Sequence, residues 1–261
     1  MGAEASMKEF WFESKGTRLF AVEGGEGPVI VMLHGGMADH RAAMPTVSGL
    51  AERFRVVLPD QRGSGRSIYG EDLSFDQLAD DIAALLDHLN VEQAVIAGMS
   101  GGTGPAAAFA LKYPGRLKGL VLVTPMYAGS EMGYTEFQEQ AFAMMDALAR
   151  RAPDEGVGVL RPLYANLPEP IRDKALAMLE EFEGASVAAT SRFIASGVQP
   201  FDAPMDLAAI PVPVLLVRGD DPMHPGEVSD LYADHLRHVQ VLPSTTTDIP
   251  SAIATFCADL K

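Results

Sequence analysis

The chain has 261 residues, 48% of them hydrophobic and 21% charged, which is enough apolar material for one substantial core. Its 35 acidic against 20 basic side chains give a formal net charge of -15, which argues against a nucleic-acid backbone or an anionic membrane surface as partner. A single cysteine, Cys257, excludes an internal disulfide, and no apolar run approaches the ~20 residues of a membrane span, so a reducing, cytoplasmic setting is expected. Met1, Gly2 and Ser6 fit the short N-myristoylation pattern, but the pattern is loose enough to arise by chance, and Met7 reads as an alternative start.

In chain order, Phe10 to Glu13 and Arg18 to Val22 flank a Lys15-Gly16-Thr17 turn and predict an antiparallel hairpin, because so short a connection cannot make a parallel crossover. Val29 to Leu33, Arg55 to Leu58, Ala94 to Ala97, Leu120 to Val123, Val214 to Val217 and Val239 to Leu242 are short Val/Ile/Leu runs of the kind found in strands buried on both faces. That makes eight strands. Between them, Ser74 and Gln77 form a capping-box signature ahead of Phe75, Leu78, Ala79, Ile82, Leu85, Leu86 and Leu89 at helical spacing. Pro105 to Tyr113 reads as a second helix, and a closing helix from about Ser251 turns Ile253, Phe256 and Leu260 inward. The alternation predicts an α/β fold with a mostly parallel eight-stranded sheet and helices on both faces.

From Met126 to Met205 the strand signal stops and helical stretches such as Glu136 to Arg150 and Ile171 to Phe182 take over. The expected organisation is a core of residues 1–125 and 206–261 with a helical lid, 126–205, inserted between two strands. Five methionines there (Met126, Met132, Met144, Met145 and Met178) suit an adaptable apolar cover, although any one of them can equally pack lid helices on each other.

Gly98-Met99-Ser100-Gly101-Gly102 joins a predicted strand to a predicted helix. A serine on such a turn is held in a strained conformation with its hydroxyl above the sheet, and small neighbours are required because a Cβ would collide. The helix that follows aims its positive end at the site. A plain glycine-rich connector is the alternative reading.

Three segments taken together resemble the α/β-hydrolase family across nearly the whole chain: His34-Gly35-Gly36, Asp60-Gln61-Arg62-Gly63-Ser64-Gly65-Arg66-Ser67, and the serine turn. The first two are most similar to proline iminopeptidases and related lid-bearing, esterase-like branches. The resemblance implies that Ser100 is the nucleophile and that the backbone N–H groups of Gly36 and Gly101 form the oxyanion hole, with His34 and the Asp60 to Ser67 segment holding loops in place. It also implies an acid in the loop Arg218 to Pro225, where Asp221 fits the family's Asp-x-x-x-Pro pattern better than Asp220, although either could simply cap a turn.

The pattern breaks at the base. The family places a histidine after the last strand in a segment like Pro-Gly-x-Gly-His, and here Pro243-Ser244-Thr245-Thr246-Thr247 puts Thr247 at that position. Threonine cannot take the serine proton at neutral pH. His224, in the same loop as Asp221, is the best substitute base, with His34 and Asp248 weaker candidates. His235 and His238 read as the solvated face of a helical stretch.

The leading expectation is a serine hydrolase acting on a small ester, lactone or amide, impaired if no base replaces the histidine. The other is a catalytically silent small-molecule binder on a hydrolase scaffold. Neither a cofactor nor a metal is expected, since no His/Asp/Glu grouping has metal-ligand spacing, and the only expected partner is the small-molecule substrate, with no nucleic acid and no membrane. The oligomeric state is not readable from the sequence, and the carboxylates of Glu131, Glu136 and Glu183 cannot be assigned to recognising a substrate amine.

Overall fold

The computed structural model describes residues 7–260, so the lipidation pattern of Met1, Gly2 and Ser6 lies outside the described residues. Eight strands, β1 (Lys8–Ser14), β2 (Thr17–Gly24), β3 (Val29–Leu33), β4 (Arg55–Pro59), β5 (Ala94–Met99), β6 (Leu117–Val123), β7 (Val214–Val217) and β8 (Val239–Leu242), form one sheet in the order β1-β2-β4-β3-β5-β6-β7-β8. β1 and β2 are antiparallel, β2 is antiparallel to β4, and every other pair is parallel. Lys15 and Gly16 both take positive φ, 46° and 78°, the mirror-image turn whose twist suits a two-residue hairpin. This is the α/β-hydrolase fold.

The helices are α1 (His40–Ala43), α2 (Phe75–His88), α3 (Thr103–Lys112), α4 (Glu136–Ala149), α5 (Ala152–Glu155), α6 (Glu169–Leu179), α7 (Gly184–Ala195), α8 (Gly226–His235) and α9 (Ile249–Asp259). Strand alternation divides the core in two. Val29, Val31 and Leu33 of β3 join Leu78, Leu85, Phe109 and Tyr232 from α2, α3 and α8 on one face. Ile30 and Met32 join Leu50, Ile253 and Phe256, the latter two from α9, on the other. Burying each such side chain contributes about 1.5–3 kcal/mol, so the central strands are the most firmly held part of the chain. α2 begins as its sequence indicates, with the Ser74 hydroxyl accepting a hydrogen bond from Gln77 N.

Between β6 and β7 the chain forms α4 to α7 and no strand, and Ala149, Leu160, Tyr164, Met178 and Leu179 of this segment gather with Ala38, from the loop after β3, in a third apolar cluster. α6 ends at Leu179 rather than near Phe182, and α7 has no counterpart in the sequence reading, because its Gly-Ala-Ser-rich start blurs the helical period. The five methionines divide: Met126, Met145 and Met178 are buried, while Met132 and Met144 are exposed.

Three further expectations are corrected. β8 is not buried on both faces; it is the last strand of the sheet, with one neighbour only, and Val241 stands 44% exposed. His238 lies beyond the end of α8, in the connector to β8, where its carbonyl accepts a hydrogen bond from Val214 N. α3 begins at Thr103, two residues before Pro105, and β5 runs on to Met99, so only a three-residue 3-10 turn, Ser100–Gly102, separates strand from helix.

Candidate active site

Ser100 takes φ +49°, a left-handed conformation that a side chain with a Cβ rarely adopts, and it does so at the C-terminal end of a central strand. The turn closes so tightly that a Cβ on Gly98 would lie 2.3 Å from the Gly102 carbonyl oxygen. Glycine is required there for room. A Cβ on Gly101 would lie 2.7 Å from Gly36 N, which brings these two glycine backbones side by side, and the adjacent Gly35 approaches the Ser100 side chain.

The loop after β7 supplies the remaining polar groups. Asp221 Oδ1 accepts hydrogen bonds from Met223 N (2.8 Å) and His224 N (3.0 Å), folding residues 221–224 into a tight turn. That turn sends the His224 ring over its own acid: Nδ1 lies 2.8 Å from Asp221 Oδ2, and Nε2 lies 2.7 Å from Ser100 Oγ. An ionised carboxylate can only accept, so Nδ1 carries the proton and Nε2 is left to accept from the serine hydroxyl. Burial opposes ionisation of Asp221, but the hydrogen bond and charge of His224 and the two backbone donors outweigh it and hold the carboxyl below its ordinary value.

Ser100, His224 and Asp221 therefore form one continuous hydrogen-bonded line, with Gly36 and Gly101 beside the serine. Asp220 is not part of it, its carboxylate instead accepting from Ser244 Oγ at 2.7 Å. Thr247, which occupies the family's histidine position in the sequence, is exposed in the loop between β8 and α9 and, among the described residues, makes no hydrogen bond to the serine or the acid. The imidazole facing Ser100 comes from the neighbouring loop. Asp248 caps α9 through Ser251 N, and Glu183 caps α7 through Ala185 N and Ser186 N, so both are occupied by helix ends.

His34 is fully buried, donates from Nδ1 to Gly35 O (2.7 Å) and accepts at Nε2 from Gln61 N (3.1 Å). Burial pushes its imidazole below the ordinary value against the pull of Asp60, so it braces the glycine loop as a neutral ring. Asp60 in turn accepts from His40 and from Arg66 N, and the buried Arg62 guanidinium meets Asp81 with two hydrogen bonds. Asp39, His40 and Asp60 are, among the described residues, the one group whose ligand atoms come close enough to hold a metal ion. Their atoms are engaged by Arg41, Arg66 and one another instead.

A cavity of about 40 Å³ opens beside Gly36 and Gly101, walled by Leu73, Phe75, Tyr127, Phe193 and Ile194. The last two belong to α7, so the segment between β6 and β7 supplies part of the cavity wall. Met126, from the same segment, rests its sulfur 4.0 Å from Ser100 Oγ.

Sequence reading singled out every residue of this line but missed Gln138 on α4, which is buried and whose amide reaches the carbonyls of Met126 and Met223. Its only signal in the sequence is the Thr135-x-x-Gln138 capping pattern, which accounts for a helix start and nothing more.

The α/β hydrolase fold family matches residues 28–157, and the chain belongs to that family. Among curated proteins it is 31% identical over 127 residues to a magnesium-chelatase 30 kDa subunit of Rhodobacter capsulatus, a stretch covering 48% of this chain and 42% of that relative, so the match spans less than half of that protein's length. It is 29% identical over 212 residues to a 2-(acetamidomethylene)succinate hydrolase of Mesorhizobium japonicum, covering 76% of this chain and 72% of the relative. Among solved structures, a thermophilic esterase from Thermogutta terrifontis superposes with a TM-score of 0.78 at 25% identity, covering 97% of this chain and 99% of that one. Among the described residues no helix is long and apolar enough to cross a membrane.

Proposed function

We propose that the chain is a serine hydrolase that cleaves a small ester, lactone or amide through an acyl-enzyme on Ser100. The observation that carries this reading is the 2.7 Å approach of His224 Nε2 to Ser100 Oγ, with Asp221 on the other ring nitrogen. In the proposed cycle His224 takes the serine proton as Oγ attacks the carbonyl carbon, and Asp221 fixes the ring's tautomer and stabilises the imidazolium. The amides of Gly36 and Gly101 hold the oxyanion, and each such donor is worth about 3 kcal/mol. The imidazolium then protonates the leaving oxygen or nitrogen, and a water activated by the same ring releases the acid and restores the serine.

The cavity lies on the glycine side of Ser100, away from His224, which is where the acyl portion belongs if the leaving group is to meet the imidazolium. Its small size favours a short acyl group, and its walls are mainly apolar, with Gln61, Arg62, Ser64 and Thr190 as polar members. Residues 126–205 serve in this reading as the lid over that group, as in the lid-bearing proline iminopeptidase and esterase-like branches that the sequence motifs resemble. With one cysteine in 261 residues, a cytoplasmic setting is part of the same proposal.

The test is covalent. A fluorophosphonate should label the protein at Ser100, located by mass spectrometry of the digested adduct, and p-nitrophenyl acetate should be turned over; Ser100→Ala should abolish both. Ligand binding without labelling or turnover would instead identify a silent binder.

A further inference from the structure

Gln138 is 1% exposed, and a buried primary amide is costly unless both its N–H groups and its oxygen are bonded. All are. Oε1 accepts from Thr135 N (3.0 Å) and Thr135 Oγ1 (3.3 Å), while Nε2 donates to Met126 O (3.1 Å) and Met223 O (2.9 Å). The orientation is unambiguous, since a flipped amide would set its oxygen against two carbonyl oxygens. The capping box at the start of α4 needs only the oxygen, and a solvated glutamine or glutamate would do that work equally well. It does not explain burial, nor two donors directed at the carbonyls of Met126 and Met223.

Met223 immediately precedes His224. The turn 221–225 is otherwise held by Asp221, one of its own members. Val228 N, at the start of α8, donates to Pro225 O; apart from that neighbour and the His224–Ser100 bond, the Gln138 donor is the one hydrogen bond among the described residues that reaches residues 221–225 from outside them. The second donor fixes Met126, whose sulfur lies beside the serine. We infer that Gln138 is a positioning residue: the lid helix α4 sets, through this one amide, where the His224 imidazole stands relative to Ser100. The inference rests on the proposed roles of Ser100 and His224, and it ties the acid-base turn mechanically to the segment that covers the substrate.

The experiment compares Gln138→Met, which keeps the volume without donors, and Gln138→Asn, which keeps the amide but is too short to reach both carbonyls. Each is assayed well below its own unfolding midpoint with p-nitrophenyl acetate and the fluorophosphonate. Misplacing a general base by a fraction of an ångström should lower kcat and the labelling rate by about tenfold to a hundredfold, with KM moving less than about twofold. In a His224→Ala background the same substitutions should change the residual rate by less than about twofold, because the group they position is gone.

Folded variants with unchanged kcat, or a loss of equal size with and without His224, would overturn the inference while leaving the hydrolase reading intact. An unmodified protein that neither labels nor turns over would overturn both. Should Gln138→Met fail to fold, Gln138→Asn with its His224→Ala partner decides the matter alone.

Discussion

The loops after β7 and β8 leave adjacent parallel strands at the same edge of the sheet, yet they are put to different uses. In the loop after β8, Thr246 Oγ1 donates to Pro243 O and Asp248 caps α9, Ser244 ties the loop to Asp220 of its neighbour, and Thr247 is left exposed. The loop after β7 folds around Asp221 so that acid and imidazole, three residues apart, stack into one line toward Ser100. What a base requires is a reachable position and a fixed tautomer, and both can be met from either loop. Chain order is one solution to that requirement and a short turn is another.

That difference is open to direct attack. In the proposed site the largest loss short of removing the serine or histidine should come from Asp221→Asn, which keeps the shape but can donate to Nδ1 and so stabilise the wrong tautomer; kcat for p-nitrophenyl acetate should fall by about 10⁴. If the rate fell only a few-fold, Asp221 would be a turn former and not the partner of a base. The smallest effect should come from the other loop. Thr247→Ala should leave kcat and KM within about twofold of the unmodified protein, as exposed substitutions away from the reacting groups generally do. A large loss there would return the base, or its substitute, to the family's usual position.

β3 to β7 were largely legible because each contains a short apolar run, and β1 and β2 because the Lys15-Gly16 turn marks a hairpin; β8 reads as an apolar run too but sits exposed because position in the sheet is not written in a four-residue run. α7 escaped because small residues blur the helical period, and it nevertheless supplies Phe193 and Ile194 to the site. Of the candidate site, the serine turn was visible as a glycine pattern whose physical reason, the close approach of Gly98 to the Gly102 carbonyl, appears only in three dimensions. His224 could be named as sharing a loop with Asp221 but not aimed, because its direction depends on two backbone hydrogen bonds to the Asp221 side chain. Gln138 was invisible for a related reason: its contact to Met223 spans 85 residues, and no local pattern encodes it.

Which residue takes the proton from Ser100 is measured most directly by the turnover of p-nitrophenyl acetate by His224→Ala. Loss of a proton acceptor from such a site costs roughly 10⁴ to 10⁶ in kcat, so the variant should retain only a trace of activity while folding normally. A folded His224→Ala protein with close to the original kcat would contradict the assignment, whatever the distance between that ring and the serine.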